Sequence, residues 1–191
     1  SPRIPGVNYT NRDHTFIEDS DLLDTWRAVV SAQNKYRHMY DLAAIVNSRQ
    51  RRQIVGDFEV SPVDILCQRT YPDTILTAQS NFDSHGYTVH PIFELKPPDR
   101  EQLLAHLPYR SLLPRTLKNV LVLGLGISAH RDAMPILRMQ PDIQNQAYAA
   151  ALAAAQAVER DIPVRDIDID PVQKQLVEKG VLASDVPEHT D

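Results

Sequence analysis

The chain has 191 residues, with 20 Lys and Arg against 25 Asp and Glu, for a net charge of −5. That acidic balance argues against a nucleic-acid surface, which needs a basic excess, while 42% hydrophobic residues suffice for a buried core in one domain or a little more. The lone cysteine, Cys67, excludes an intramolecular disulfide and a cysteine-rich zinc cage, and no apolar run reaches the roughly 18 to 20 residues of a membrane span.

The first 17 residues have no apolar period and no signal-peptide h-region, so they read as irregular. The chain is expected to be soluble, either cytoplasmic or exported after removal of a leader. From Asp19 an apolar stripe (Leu22, Leu23, Trp26, Val29, Val30, Tyr36, Met39, Tyr40, Ala43) predicts an amphipathic helix to about Val46. Asp19, Ser20, Asp21 and Asp24 supply caps and negative charge at its start, and Trp26, Tyr36 and Tyr40 are expected in a core. Gln53 to Val60 predicts a strand. Ser61-Pro62-Val63-Asp64 then opens a short helix with cap, proline and acid in order, ending near Arg69. Cys67 within it reads as a small buried hydrophobe.

Beyond the Tyr71-Pro72-Asp73 break, Tyr87-Thr88-Val89 and Ile92 to Leu95 read as extended, and Asp99 to His106 as a short helix. Asn119 to Gly124 is the strongest predicted strand, with four consecutive apolar residues that suggest burial on both faces. Residues 144–158 contain eight alanines and predict a helix of little bulk, suited to close packing. A last helix runs from Asp170-Pro171 to Gly180.

Gly124-Leu125-Gly126-Ile127-Ser128-Ala129 fits the G-x-G-x-x-G/A dinucleotide fingerprint on paper. The context does not. Pro135 falls inside the helix that should follow, and the place of the next strand is occupied by the helical Asn145 to Ala150. Asp83, His85 and His90 form no familiar metal-ligand spacing, and no metal is assigned. His130 and Arg131 lie just past the predicted strand end, where open sheets place their ligands, or else in an ordinary polar loop.

The stretches Pro108 to Pro114, Lys118 to Gly124, Ile127-Ser128-Ala129, Arg138-Met139 and Gln146-Ala147 follow one another in an order and spacing that resemble the C-terminal part of the FAD-dependent oxidoreductase family. Some members of that family carry a xanthan lyase-like label. Arg49 to Phe58 resembles the family's Arg-rich segment and following strand. Tyr71-Pro72-Asp73, Asp83-Ser84-His85 and Val164 to Asp168 also fall at matching spacings, so the resemblance spans roughly residues 45 to 182.

The resemblance implies a mixed α/β (α+β) chain, the C-terminal part of a glutathione-reductase-like FAD-binding fold with part of the substrate or cap domain. Residues 1–115 would be the substrate or cap portion, 116–160 the returning strand and helix of the FAD domain, and 161–191 a C-terminal helix and tail. The implied reaction is hydride transfer between a small organic substrate and flavin. The implied partner is the N-terminal FAD-binding part of the same protein or a partner subunit, and the isolated chain is expected not to retain FAD. The implied cofactor-side residues are Gly124, Gly126, Ser128, Arg138 and Gln146. A helix starting near Asp142 would turn its N-terminus toward the pyrimidine edge of the flavin.

On the substrate side the resemblance implies Arg49, Arg52, His85 and His130. The arginines read equally as a salt-bridged helix end. The family's usual Gly-Gln-Ala-Ala-Gly is Asn145-Gln146-Ala147-Tyr148-Ala149 here, and His130-Arg131 replaces the usual Thr-His. These departures motivate the alternative, a non-catalytic accessory or interaction subunit that no longer binds FAD.

Overall fold

The computed structural model describes residues 21–35, 52–83, 88–95 and 103–184, and the chain divides into two compact units. The first holds residues 1–51 and 85–87, and its described part is helix α1, Leu22–Lys35. Asp21 opens it as expected: its Oδ1 accepts the Leu23 N–H at 2.8 Å and its carbonyl accepts the Thr25 N–H at 3.0 Å. The expected continuation to Val46, with Tyr36 and Tyr40, lies outside the described residues. Trp26 corrects an expectation: it is 60% exposed, beside exposed Leu22 and Leu23. Periodicity marks which face is apolar, and burial is a separate fact.

The second unit holds residues 52–84 and 88–191. At its centre two antiparallel strands pair, β1 (Thr74–Ser80) and β2 (Leu103–Pro108), with Thr77 opposite His106, Ala78 opposite Ala105 and a bulge between Thr74 and Leu76. Ile75, Leu76, Ala78, Ala105 and Leu107 are buried. Neither strand was expected, and β2 lies where a helix over Asp99 to His106 was predicted. Leu103-Leu104-Ala105 favours helix locally, but pairing with β1 buries the segment and satisfies its backbone, and tertiary context overrides weak propensity. Ile92–Leu95, read as extended, is instead a one-turn helix, α3, that seats Phe93 edge-on to Phe82 with ring centroids 5.3 Å apart.

Helix α2, Pro62–Leu66, begins with the full capping box: the Ser61 hydroxyl accepts the Asp64 N–H, and the Asp64 carboxylate accepts the Ser61 N–H at 2.8 Å. Cys67 follows it and is exposed, not buried, because it sits at the C-cap as the chain turns outward. Among the described residues three later helices follow: α4 (Met134–Leu137), α5 (Gln140–Arg160) and α6 (Asp170–Glu178). All three pack on β1, and α2 and α4 pack on β2. The alanine-rich stretch is α5, whose buried Ala149, Ala150, Ala153 and Ala157 form the thin face expected of it. Gln156 ties α5 to the loop before α6, accepting the Asp168 N–H and donating to the Asp168 carbonyl, each at 3.0 Å.

Two predicted strands are not ladder strands. Gln53 to Val60 is extended, but it alternates between two neighbours. Ile54 N–H donates to the Gly126 carbonyl at 2.9 Å, Asp57 N–H to the Leu113 carbonyl at 3.0 Å, and Val60 N–H to the Ser128 carbonyl at 3.1 Å. Only isolated bridges result, Gly56 with Pro114 and Val60 with Ala129. Asn119 to Gly124 is no strand either. Its residues run from exposed at Val120 through half-buried to buried at Gly124, and Val122 N–H donates to the Leu112 carbonyl at 2.9 Å. The segment is apolar enough to be covered on both faces, yet among the described residues no ladder pairs with it.

Candidate functional site

The candidate residues cluster in the stretch that joins this unpaired apolar segment to α5. Gly124–Gly126 forms a single 3-10 turn. Gly124 has φ of +65°, a left-handed conformation that a side chain would strain. Its N–H donates to Gln146 Oε1 at 2.9 Å, while Gln146 Nε2 donates to the Leu137 carbonyl at 3.0 Å. Gln146 is wholly buried, so one amide fastens the glycine turn to the end of α4. Residues 127–133 do not continue as a helix, and Pro135 occupies the first turn of α4. The strand-turn-helix that gives the glycine fingerprint its dinucleotide meaning is not formed.

Gly126 is set by packing: a Cβ there would lie 2.9 Å from Val122 Cγ1. Ser128 is buried, and its hydroxyl accepts the Gly56 N–H at 3.0 Å. Arg138 donates from Nη2 to the Asp83 carbonyl at 2.6 Å and to Asp83 Oδ2 at 3.1 Å, bracing the loop after β1. Arg52 is exposed, and Arg49 and His85 lie outside the described residues.

The N-terminus of α5 has no side-chain cap, since Met139 occupies the cap position. Asp142, in its first turn, is 8% exposed, and among the described residues its buried Oδ2 has no hydrogen-bond partner. Burial pushes its carboxyl up to about 6.

A second cluster surrounds His130. Its N–H donates to the Val60 carbonyl at 2.7 Å, and its Nδ1 accepts the Asp132 N–H at 3.1 Å. The His90 ring stands perpendicular to it with centroids 5.0 Å apart. Asp132 is buried, and its Oδ2 accepts the N–H groups of Val89 and His90, both at 2.7 Å. Desolvation holds the His130 imidazole below its ordinary 6.5, with His90 and Arg131 acting the same way and Asp132 and Glu59 opposing.

Sequence reasoning passed over Asp132, named Asp142 only as the start of a helix and not for its carboxyl, and considered His90 only as a metal ligand. Asp142 carried a signal, an acid just after Pro141 at a helix start. Asp132 carried none, because the N–H groups that donate to it come from a segment some forty residues earlier. Among the described residues no His, Cys, Asp and Glu group is arranged to hold a metal ion, and no helix is long and apolar enough to cross a membrane.

A family model described as FAD dependent oxidoreductase matches residues 7–176, most of the chain. The chain belongs to that family. No curated protein and no solved structure gives a significant match. The mixed α/β architecture is compatible with a partial domain of an FAD-dependent oxidoreductase.

FAD is the cofactor this family uses, and the residues at the start of α5 suit its flavin end. The pyrimidine edge of a flavin carries a ring N–H between two carbonyl oxygens. A buried carboxyl oxygen lacking a donor, next to helix amides lacking a side-chain cap, is complementary to that order of groups. The glycines do not suit the pyrophosphate, because the space beside Gly126 is taken by Val122 and that beside Gly56 by Ser128.

Proposed function

We propose that this chain is the C-terminal portion of a glutathione-reductase-like flavoenzyme that transfers a hydride between a small organic substrate and FAD. The observation that carries this is the uncapped N-terminus of α5 with the unpartnered oxygen of Asp142, set one helical turn from the Gln146 clasp on Gly124.

FAD, when bound, supplies the hydride acceptor. The α5 amides would receive the carbonyl oxygens of the flavin edge, and Asp142 would take its ring N–H. Gly124 and Gln146 hold the adjoining turn, while Gly126 and Ser128 seat residues 54–60 beside it. Arg138 keeps the 81–83 loop against α4 through Asp83. His130 faces the substrate side, where the resemblance also puts Arg49, Arg52 and His85. The ADP half of FAD would be held by an N-terminal FAD-binding part of the same protein or by a partner subunit. The half-buried apolar run Leu121-Val122-Leu123 is suited to joining the sheet of that part.

The filled spaces at Gly56 and Gly126, and the pairing of Arg138 with Asp83, favour a second reading. In it the chain is an accessory subunit that keeps the scaffold without the cofactor. Absorbance of the purified intact gene product separates the two. Flavin bands that bleach under a reductant support the enzyme, and a colourless protein supports the accessory role.

A further inference from the structure

We infer that His90 and His130 together form a binding site for the carboxylate oxygen of a small organic acid, with Asp132 as the positioning residue that brings the two rings to one place. This rests on the substrate-side position given to His130 above and adds the ligand class.

The tautomers carry the chemistry. A backbone N–H donates into Nδ1 of each ring: Asp132 N–H into His130 at 3.1 Å, and Ile92 N–H into His90 at 3.2 Å. A nitrogen that accepts a hydrogen bond is unprotonated, so each neutral ring carries its hydrogen on Nε2. Among the described residues neither Nε2 has a hydrogen-bond partner. Two half-buried rings, each with its N–H on Nε2, therefore stand perpendicular with centroids 5.0 Å apart. In this tautomer neither ring offers Nε2 as a lone pair to a metal ion, and an acceptor oxygen is the complementary ligand.

The charges around the pair fit an anion. Asp132 is occupied with the Val89 and His90 amides and with the Arg131 guanidinium at 3.5 Å. The charged groups that act on His130 are Asp132, Glu59 and Arg131, together with the His90 ring. Asp132 and Arg131 offset one another, and Glu59 is exposed to water. Asp132 acts through geometry: its two short bonds to consecutive amides hold residues 88–90 against the loop that carries His130.

The test is a titration of the full 191-residue chain, labelled with 15N, with sodium acetate at constant ionic strength set by chloride, following the imidazole nitrogens. The expected result is two Nε2–H tautomers and a saturable shift of the His90 and His130 Nε2 signals together, with His106 unmoved. His90→Ala should weaken the fitted affinity about fivefold, the worth of one lost hydrogen bond. Asp132→Asn should spread the two responses to different midpoints while the remaining spectrum stays folded. Acetate that moves neither ring, or moves His90 and His130 in parallel with His106 and the other histidines without saturation, overturns the inference. The titration needs no flavin. A colourless gene product whose histidine pair still binds acetate removes the hydride-transfer proposal alone, and a yellow one with a silent pair removes this inference alone.

Discussion

Gln146 and Gly124 are joined by a 2.9 Å hydrogen bond between a wholly buried side-chain oxygen and the N–H of a residue in left-handed conformation. The other end of the same amide reaches the Leu137 carbonyl. Replacing Gln146 with Leu would fill the volume but strand a donor and an acceptor in the interior. Each orphan costs on the order of 1–3 kcal/mol, so Gln146→Leu is expected to destabilise the chain by about 2–4 kcal/mol. Urea unfolding checks this, and a midpoint equal to that of the parent would mean the clasp is not formed.

Gly56 and Ser128 give a second check on the same region. A Cβ on Gly56 would lie 2.5 Å from Ser128 Cβ and 3.3 Å from the Leu113 carbonyl oxygen. Gly56→Ala is expected to cost about 1–3 kcal/mol. Adding Ser128→Gly removes the clashing carbon and should recover part of that loss, although Ser128→Gly alone is destabilising through the lost bond to the Gly56 N–H. Additive losses in the double variant would count against the contact.

How much of this was legible in the sequence differs from element to element. The capping box at Ser61, the alanine helix and the helix at Asp170 were readable because their signals are local: a cap and an acid three residues apart, or small residues at helical spacing. The Asn119 to Gly124 run was misread because an apolar stretch reports what it could bury, not whether a strand lies beside it. The β1–β2 pair was missed because its stability comes from register between segments nearly thirty residues apart. At the candidate site, Gly124, Gln146 and His130 were named from order and spacing. Their actual neighbours, Leu137, His90 and Asp132, are tertiary and left no periodic trace.

Stability should vary with pH in two opposing ways. Burial holds His106 and His130 below the ordinary 6.5, so the unfolded rings take protons first. Their contribution is whole above 6.5 and is lost as the pH falls through the folded values. Asp142 runs the other way: its carboxyl lies at about 6 against an ordinary 3.8, so its contribution is whole below 3.8 and is lost as the pH rises through about 6. Asp142→Asn should therefore stabilise the chain above pH 6 and leave it unchanged below 3.8. With partial solvation the gain is about 1–2 kcal/mol. Unfolding curves collected across that range check both limbs, and a gain of equal size at every pH would contradict the assignment to Asp142.

Cys67 is exposed at the end of α2. A water-soluble thiol reagent should label it stoichiometrically in native conditions, at the same rate before and after mild denaturant is added. Labelling that appears only on unfolding would return it to the core, where the sequence pattern had placed it.

The flavin-to-polypeptide ratio of the intact gene product after gel filtration tests most directly whether this chain completes a flavoenzyme. A ratio near one for the intact product and near zero for the isolated 191-residue chain is the predicted result. A ratio near zero in the intact product, or a full complement of flavin on the isolated chain, would contradict it.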